Sequence, residues 1–538
     1  MVFVDIDRWK AMLIPHGAAY VFLSAVIFCL LVLTSIYGTL WRHKRDSSQI
    51  TSPNNLNTII GFPPRLPNDR DYVQWTFLHM NDVYELLPQD NGHKGGLARV
   101  AYLRQLLLEE NPSTYTILAG DFVSPSALST AKVNGRPLNG RQMIATMNSL
   151  GLDYVTFGNH EFDITENELL SRMNESNFSW ISSNVFKINS NQPIGSSLTY
   201  KILTISRVRI LLIGLTLATP STYARFTNDS SLVNYTRQFL AQFPNESYDV
   251  LVALTHLDIA RDIELASNIP QIDLILGGHE HEDVSYLRGP KYTPIHKADA
   301  NAYTVFIHRC VYNIDTKEFR VYSTLTRVTE DIAEEEKTAN VAKHWYNLGI
   351  QAFTRLGYVP QETISCLPAG VNLDGRSEAI RSSQTLLSDT VCKSMMYATS
   401  MYRSTISIFN SGAIRIDDIL RDTIIGYDVL RVLPFVNYLS ILSVPGTILS
   451  EVLRSSMMLK GNGMFLSYNG IQTSDGGTTW LADGVNVATS GMNYTIVTID
   501  YARVNTGLNH SNVSVVKTLN ITQTNALMTY LKIKYPPC

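Results

Sequence analysis

The sequence predicts an α/β fold followed by a second domain of mixed strands and helices. Two observations predict the α/β part. The apolar runs at 209–216, 248–255 and 272–278 are nearly continuous, which is typical of strands buried on both faces. Amphipathic stretches, with apolar residues three and four positions apart, separate such runs and indicate helices. Alternation of the two indicates a sheet with covered faces.

Length and composition set the outer limits. A chain of 538 residues predicts two or more domains. Hydrophobic residues make up 45% and charged residues 17%, a globular composition. The net charge of −3 argues against a general nucleic-acid binder, so we expect no nucleic-acid polymer as a partner.

Five cysteines without a CxxC pair disfavour a thiolate zinc site. One or two disulfides remain open among Cys310, Cys366, Cys392 and Cys538.

A transmembrane anchor is predicted at residues 17–41, after a tail at 1–16. This stretch carries no charge, and about 20 such residues span a bilayer as a helix. The alternative is a cleaved signal peptide. The run is longer than the usual apolar region of a signal peptide, and no small-x-small cleavage site follows it. We therefore predict a single-pass membrane protein.

The side of the membrane stays open on sequence grounds alone. Basic residues flank the segment on both sides, and their distribution slightly favours a cytoplasmic location for the body of the protein. Nine N-x-S/T sequons favour an extracytoplasmic glycoprotein instead. They lie at Asn174, Asn177, Asn228, Asn234, Asn245, Asn493, Asn509, Asn512 and Asn520.

The remaining chain divides into four stretches. Residues 42–70 are polar and rich in Pro and Asn, which indicates a stalk. Residues 71–335 carry the α/β pattern. In chain order, the predicted strands are VQWTFLHM, TYTILAG, LDYVTFG, RILLIGLT, YDVLVALT and IDLILGG. The predicted helices are GGLARVAYLRQLLLEEN, NGRQMIATMNSLG, VNYTRQFLAQF and DIARDIELASN.

A charged, then amphipathic stretch at 336–360 predicts a linking helix, and we expect a hinge there. In the second domain, 361–538, the sequence pattern is different. SQTLLSDTVCKSMMYAT indicates a helix, and STISIFNSG, YLSILSVPG and NYTIVTIDYA indicate strands.

Polar residues follow five of the first-domain strands where each strand ends. Ligands of open α/β sheets bind outside the carboxyl ends of the strands. Each short motif alone is ordinary, but the ordered set predicts one site. Its members are Asn81-Asp82-Val83-Tyr84, Gly120-Asp121, Gly158-Asn159-His160-Glu161, Thr255-His256 and Gly278-His279-Glu280-His281.

The residue types at these strand ends point to metal chemistry. Oxygen and imidazole donors without thiolate suit Zn, Mn, Fe or Co. Two divalent ions about 3.5–4 Å apart would need a bridging carboxylate, and such a pair can clamp a phosphate oxygen while activating water. Phosphate-ester hydrolysis is the reaction class that these residues favour.

The motifs LHMNDVYE and GNHEFD resemble those of calcineurin-like metallophosphoesterases, and more narrowly of the 5′-nucleotidase family. The resemblance covers residues 73–505. It implies a metallophosphoesterase sandwich followed by a nucleotidase C-terminal domain, with two divalent ions as cofactors. The implied ligands are Asp82, Tyr84, Asp121 and His281 for one ion, with Asp121 bridging, and Asn159, His256 and His279 for the other. The implied catalytic dyad is His160 and Asp163.

Tyr84 departs from the family, which has histidine at this position. A phenol has a pKa near 10 and is a poor zinc ligand unless it is deprotonated. Three outcomes are open: a phenolate that favours a harder ion such as ferric iron, a site with fewer ligands, or lost activity. We expect an altered but working site. His281, where the family often has Gln or Asn, could compensate.

The resemblance also implies a substrate side in the second domain. Arg381 in LDGRSEAIRSS matches a phosphate-binding arginine, and FNSGAIR places Asn410 and Arg415 at the substrate. Phe435 in VLPFVNYL and Tyr501 in TIDYA match an aromatic clamp around the base. Guanidinium groups bind phosphate in bidentate fashion, and aromatic faces stack on any nucleobase.

A second departure follows Tyr501. The family usually has a Gly-Gly-Asp-Gly segment whose aspartate binds the ribose, whereas this chain has RVNTGLNHSN. The sugar contact is therefore in doubt, and the substrate could be a different phosphoester.

From the sequence we expect a membrane-anchored phosphoesterase, with its body outside the cytosol, that hydrolyses a nucleoside 5′-monophosphate or a nucleotide derivative. The alternatives are hydrolysis of nucleotide sugars, cyclic nucleotides or other phosphomonoesters, and a surface binding protein that kept the fold without turnover. Metal identity, the preferred base and the oligomeric state stay open.

Overall fold

The computed structural model of the chain describes residues 59–64, 66, 71–244 and 247–538. The predicted tail 1–16 and anchor 17–41 lie outside these residues, as does most of the predicted stalk 42–70. Within the described ranges, no helix is both long enough and apolar enough to span a bilayer. A single compact unit extends from Pro63 to Cys538 and contains every candidate site residue.

The first domain is built on two six-stranded sheets. Its strands are β1 (Tyr72–Met80), β2 (Thr114–Leu118), β3 (Lys132–Val133), β4 (Arg136–Pro137), β5 (Tyr154–Val155), β6 (Ser179–Trp180), β7 (Val185–Lys187), β8 (Tyr200–Ile205), β9 (Val208–Thr216), β10 (Ala224–Phe226), β11 (Val250–His256), β12 (Leu274–Gly278), β13 (Val284–Arg288), β14 (Thr293–Lys297), β15 (Thr304–Asn313) and β16 (Glu318–Arg327). The strand orders of the two sheets are β16-β15-β1-β2-β5-β6 and β13-β14-β12-β11-β9-β8. Strands β1, β2 and β5 are parallel neighbours, and so are β9, β11 and β12.

The two sheets pack face to face. Alternate residues of each strand point to opposite sides of its sheet, so neighbouring residues of one strand belong to different apolar clusters. Leu212 of β9 belongs to an apolar cluster that also contains Trp75 and Phe77 of the other sheet. Leu211, one residue earlier, belongs to a cluster with Leu265 of a covering helix. The sheet is therefore buried on both faces, which explains the near-continuous apolar runs and confirms the predicted α/β class.

Helices lie between the strands as the periodicity predicts. Helix α3 (Arg141–Leu150) ends where Gly151 adopts a left-handed conformation with φ of 88°, which favours glycine. The helices of this domain are α1 (Leu97–Glu110), α2 (Ala127–Thr130), α3 (Arg141–Leu150), α4 (Glu166–Glu175), α5 (Leu232–Leu240) and α6 (Ile259–Asn268), and α7 (Glu336–Arg355) follows them.

The strands of the second domain are β17 (Thr363–Cys366), β18 (Leu373–Asp374), β19 (Ile406–Asn410), β20 (Ile419–Leu420), β21 (Thr423–Ile425), β22 (Tyr438–Pro445), β23 (Leu466–Asn469), β24 (Leu481–Ala482), β25 (Val485–Asn486), β26 (Asn493–Ile499) and β27 (Ser514–Thr522). The domain is centred on a five-stranded sheet, ordered β23-β19-β26-β22-β27. Its helices are α8 (Ser377–Ser382), α9 (Leu386–Ala398), α10 (Gly426–Val432), α11 (Gly446–Met457), α12 (Asp500–Asn505) and α13 (Gln523–Lys534).

Helices cover both faces of this second sheet. Ile496 of β26 belongs to a cluster with Leu449 of α11. Val497, the next residue, belongs to a cluster with Leu387 of α9 and Leu527 of α13. The predicted mixed α/β architecture of this domain is confirmed.

The cysteines resolve into one disulfide and two thiols among the described residues. Cys366, at the end of β17, is bonded to Cys538, with their Cα atoms 5.7 Å apart. Cys310 and Cys392 are buried free thiols. The pairing that the sequence left open therefore joins the C-terminal residue to the start of the second domain.

Three buried histidines lie against one another in the first domain. The rings of His296 and His308 are 5.0 Å apart, and those of His79 and His308 are 5.6 Å apart. Nε2 of His79 donates to the carbonyl oxygen of Gly277 at 3.0 Å. Burial lowers the pKa of His79 to about 3 and that of His296 to about 4. Burial also lowers the pKa of His308, and its two neighbours add to this shift.

We expect these three histidines to make an unfavourable contribution to thermal stability that grows as the pH drops below about 6.5. These histidines are neutral in the folded protein but gain protons in the unfolded chain, where their pKa is near 6.5, so acid favours unfolding. Each contributes about 1.4 kcal/mol per pH unit between that pH and its folded pKa. Melting temperatures measured between about pH 7.5 and about pH 5 check this.

The control uses two single variants. Between about pH 7.5 and about pH 5, His308→Asn should lose less melting temperature than the wild type, since one of the three histidines is removed. His93 is exposed, and His93→Asn should leave the dependence unchanged. Equal dependence in wild type and His308→Asn would contradict the assignment.

Candidate metal centre and substrate cleft

The carboxyl ends of the parallel strands bring the predicted polar residues to one place. Asp82 follows β1, Asp121 follows β2, Asn159 follows β5 and His279 follows β12, while His256 is the last residue of β11. Because the two sheets face each other, the two groups of strand ends lie side by side. Nε2 of His256 is 3.3 Å from Oδ2 of Asp121.

Glycines allow this close approach. A Cβ atom added to Gly158 would lie 2.0 Å from Oδ1 of Asp121. One added to Gly278 would lie 2.3 Å from the carbonyl oxygen of Ala119. A larger residue at position 158 would therefore displace the Asp121 carboxylate within its own sheet, and one at position 278 would push the two sheets apart at this end.

Asp82, Asp121 and His256 form a group suited to a metal ion. All three are buried, and each offers a donor atom within 4.8 Å of the others. Burial opposes a charge on His256, but Asp121 and Asp82 raise its pKa to about 9. The site thus favours positive charge, and its oxygen and imidazole donors match the ligands of Zn, Mn, Fe or Co. These residues fit a divalent cation.

The other predicted ligands lie around this group. Oδ1 of Asn159 is 3.2 Å from Nε2 of His256. Nε2 of His281 is 3.3 Å from Oδ1 of Asp82. The backbone N–H of His279 donates to Oδ2 of Asp82 at 2.9 Å, and its ring centroid is 5.3 Å from that of His256. The structure therefore brings all the sequence-predicted ligand positions to one end of the sandwich.

A buried lysine holds the loop that carries His279 and His281. Nζ of Lys297 lies 2.8 Å from Oδ2 of Asp262 and also contacts the carboxylate of Glu280. The other oxygen of Glu280 accepts the backbone N–H of Ile259 at 2.6 Å. The sequence analysis gave Lys297 no role, and the available signal was a lysine at the end of a buried strand.

Tyr84 lies at the predicted ligand position, where it acts as a hydrogen-bond donor. Its hydroxyl donates to Oδ2 of Asp121 at 3.0 Å, and its ring is 5.7 Å from that of His281. Burial raises the pKa of the phenol well above 10, and Asp121 and Asp82 raise it further. Of the three outcomes left open by the sequence, this geometry favours a site with fewer ligands.

We expect Tyr84→His to tighten metal binding by about tenfold to a hundredfold, because it restores an imidazole donor next to Asp121. Tyr84→Phe removes only the hydroxyl, so it should retain the metal content of the wild type. Metal analysis of purified proteins after dialysis checks both variants. Loss of the metal in Tyr84→Phe would identify the phenol as a ligand and contradict this interpretation.

His160 and Asp163 form the predicted dyad on a short 3₁₀ helix, His160–Asp163. Nδ1 of His160 is 2.7 Å from Oδ2 of Asp163. Its Nε2 is 2.8 Å from Nη2 of Arg415, a residue of the second domain. Since guanidinium only donates, Nε2 accepts and Nδ1–H donates to the carboxylate. The imidazole is thus oriented from both sides.

Glu161, which the sequence analysis gave no role, organises the loops around the site. Its buried carboxylate accepts the backbone N–H groups of Asp121 and Gly158 at 2.9 and 2.6 Å. It also accepts those of Phe122 and Val123 at 2.9 and 3.2 Å. The GNHEFD motif therefore combines a candidate ligand, the dyad and the carboxylate that joins two strand ends.

One cleft of about 740 Å³ contains both the dyad and the predicted substrate residues. From the first domain it is lined by residues that include Asp121, Asn159, His160, Asp163, His279 and His281. From the second domain it is lined by Arg381, Asn410, Arg415, Phe435 and Tyr501, among others. The structure thus places every predicted substrate residue opposite the candidate metal centre.

The arginines make the second-domain wall suitable for an anion. Burial lowers the pKa of Arg381, and neighbouring Arg415 lowers it further. Nε of Arg381 has no hydrogen-bond partner among the described residues. Oδ1 of Asn410 is likewise unpaired within the described part. Two close guanidinium groups with an unused donor fit a phosphate, because an anion would relieve their repulsion.

The carboxylates of the cleft all belong to the first domain. Within the described lining they are Asp121, Asp163, Asp229 and Asp258. Segment 503–512, where the family has its ribose-binding aspartate, supplies no lining residue to this cleft. Within the described lining, the cleft thus has the aromatic residues Phe435 and Tyr501 but no second-domain carboxylate for a sugar.

Comparison with known families matches both domains. A family model described as calcineurin-like phosphoesterase matches residues 76–283. A model described as the C-terminal domain of 5′-nucleotidase matches residues 366–510.

The individual relatives share low sequence identity with the chain, but the matches extend over most of its length. The chain is 25% identical to the snake venom 5′-nucleotidase of Crotalus adamanteus, over 74% of this chain and 73% of that protein. It is 26% identical to the trifunctional nucleotide phosphoesterase protein YfkN of Bacillus subtilis over 74% of this chain, but it spans only 28% of that longer protein. The crystal structure of a 5′-nucleotidase precursor from Thermus thermophilus superimposes with a TM-score of 0.70 at 20% identity, over 86% of this chain and 97% of that one.

Proposed function

Because the chain belongs to the 5′-nucleotidase family of metal-dependent phosphoester hydrolases, we propose that it hydrolyses a nucleoside 5′-monophosphate or nucleotide derivative to nucleoside and phosphate. One observation carries this substrate assignment. The cleft that contains His160 also contains the paired guanidinium groups of Arg381 and Arg415 and the aromatic rings of Phe435 and Tyr501. The cleft therefore offers guanidinium groups for the phosphate and aromatic rings for the base.

We further propose two divalent ions at this site. Asp82, Asp121 and His281, next to Tyr84, would hold one, and Asn159, His256 and His279 would hold the other, with Asp121 shared. Zn, Mn, Co and Fe all suit this donor set. When bound, such ions neutralise phosphate charge and lower the pKa of water. The contacts of Asp121 with His256 and Tyr84 support its shared position.

The chain's own residues have distinct parts in the reaction. Arg381 and Arg415 would bind the phosphate oxygens and orient the phosphorus toward the metal centre. His160 would interact with the leaving oxygen or with the charge that develops on the phosphoryl group. Asp163 keeps the His160 ring oriented through its 2.7 Å hydrogen bond.

Other phosphoesters compete as substrates. All the carboxylates in the described lining of the cleft belong to the first domain. The ribose therefore lacks the second-domain aspartate that binds it in the family. Nucleotide sugars, cyclic nucleotides and other phosphomonoesters are therefore the alternative. A binding protein without turnover is the alternative from another class, motivated by Tyr84.

Phosphate release by the purified full-length chain tests the proposal. The panel is AMP, other nucleoside monophosphates, UDP-glucose, a cyclic nucleotide and an aryl phosphate, each with added Mn, Zn or Co. We expect hydrolysis of nucleoside monophosphates to exceed that of the aryl phosphate. Preference for UDP-glucose or the cyclic nucleotide would favour the alternative, and metal binding without turnover on any of them would favour a binding protein.

We also propose that residues 17–41 anchor the chain and that its body lies outside the cytosol, in an oxidising compartment. The disulfide between Cys366 and Cys538 supports this side of the membrane. So do the sequon asparagines: all those within the described residues are exposed. A mass shift on glycosidase treatment of protein from a eukaryotic host tests it, and an unmodified chain there would argue for the other side.

A further inference from the structure

We propose that Asp417, in the second domain, is a positioning residue for His281, so that the metal centre in the first domain is completed by contact between the domains. The inference rests on the proposed function, since it assumes an ion held beside Asp82. It concerns how His281 is oriented, and it names a residue to which the sequence analysis gave no role.

The contact between these two side chains is short and enclosed. Oδ2 of Asp417 lies 2.5 Å from Nδ1 of His281, and the two side chains are only 7% and 11% exposed. The other oxygen, Oδ1, accepts the backbone N–H of Ser377 at 2.6 Å. Both carboxylate oxygens therefore have partners, and the hydrogen bond from Ser377 fixes Asp417 relative to its own domain.

This contact decides which ring nitrogen of His281 can bind a metal. When Nδ1–H donates to the carboxylate of Asp417, a neutral imidazole has its lone pair on Nε2. Nε2 is the nitrogen that faces Asp82, at 3.3 Å from Oδ1. A carboxylate partner on a ligating histidine fixes the ring and raises its basicity, and Asp417 supplies that partner from the opposite domain.

The neighbours of Asp417 show that the contact belongs to a larger junction. Two residues earlier, Arg415 donates to Nε2 of His160 at 2.8 Å. One residue later, Asp418 accepts from the hydroxyl of Tyr303 at 3.1 Å. A single segment of the second domain therefore contacts the dyad, the candidate metal ligand and the first-domain framework together. Separation of the domains would release His281 at the same moment as it opened the cleft.

Binding of Mn²⁺ alone to the full-length chain tests this inference, with no turnover required. Titration against a competing chelator dye gives the dissociation constant of wild type and variants. We expect Asp417→Asn to weaken Mn²⁺ binding by about tenfold to a hundredfold, the range for loss of a carboxylate that supports a ligand. Asp418→Asn is the matched control, because it alters a contact between the same domains without touching His281. It should change the constant by no more than about twofold.

A double-mutant cycle separates positioning from general destabilisation. In the background of His281→Gln, adding Asp417→Asn should cost little further affinity, because the pair no longer exists. Melting temperatures report whether each variant is folded. If wild type and Asp417→Asn bind Mn²⁺ equally, or if Asp417→Asn costs as much in His281→Gln as in wild type, the inference is wrong. If the folded wild-type chain binds no divalent ion, the proposed function itself fails.

Discussion

Asp121→Asn is expected to abolish hydrolysis, with kcat/KM falling by about 10³-fold or more. The Asp121 carboxylate accepts from the hydroxyl of Tyr84 at 3.0 Å and from the backbone N–H of His160 at 2.8 Å, and it lies 3.3 Å from Nε2 of His256. An amide keeps the shape but loses the charge that attracts a cation. Metal ions contribute several kcal/mol to catalysis, and each 1.36 kcal/mol is about tenfold in rate.

The measurement is phosphate release together with metal content. Asp273→Asn is a suitable control, because Asp273 also accepts a backbone N–H, that of Leu251, at 2.8 Å. Asp273 precedes β12 instead of following it, so it lies at the end of the strands opposite to the candidate metal centre. Its substitution should leave kcat/KM within about twofold. Full activity in Asp121→Asn would contradict the shared-carboxylate assignment.

The second large effect is expected for His160→Ala, with kcat falling by about 10²- to 10⁴-fold, the usual range for a positioned acid or base. His160 is the group between Asp163 and Arg415 in the cleft. Asp163→Asn should cost less, about tenfold, because the ring is still held by Arg415.

Substrates with different leaving groups make this prediction sharper. If His160 assists the leaving oxygen, the loss in His160→Ala should be smaller for an aryl phosphate, whose leaving group needs less help, than for AMP. Equal losses would contradict that role and indicate interaction with the phosphoryl charge. His344 is exposed on α7, and His344→Ala serves as the control that should not affect either substrate.

The strands and helices were predictable where periodicity is strong. Buried strands such as β9 and β11 produce unbroken apolar runs, because both of their faces are covered. The run at 152–158 was less informative: only Tyr154–Val155 forms a strand, since the chain turns into the site at Gly158. Local pattern indicates an element, but its end is set by what the neighbouring loops require.

The candidate site was predictable to the extent that its residues follow strand ends. The fold converts that position along the chain into proximity, which is why Asp82 and His256 meet although they are far apart in sequence. Asp417 carries no such signal, because its partner His281 belongs to the other domain. Lys297 does end a buried strand, but that position does not identify Asp262 and Glu280 as its partners. Glu161 was visible in its motif, but its four N–H donors come from two separate strand ends.

The disulfide between Cys366 and Cys538 has a practical consequence for handling the protein. It closes a covalent ring across a sequence separation of 172, which takes in almost the whole second domain. A single proteolytic cut anywhere inside that ring leaves both pieces joined, so a nicked preparation would look intact on a gel run without thiol. A fusion partner attached after Cys538 would also stay covalently linked to the rest of the molecule after such a cut, until a reductant is added.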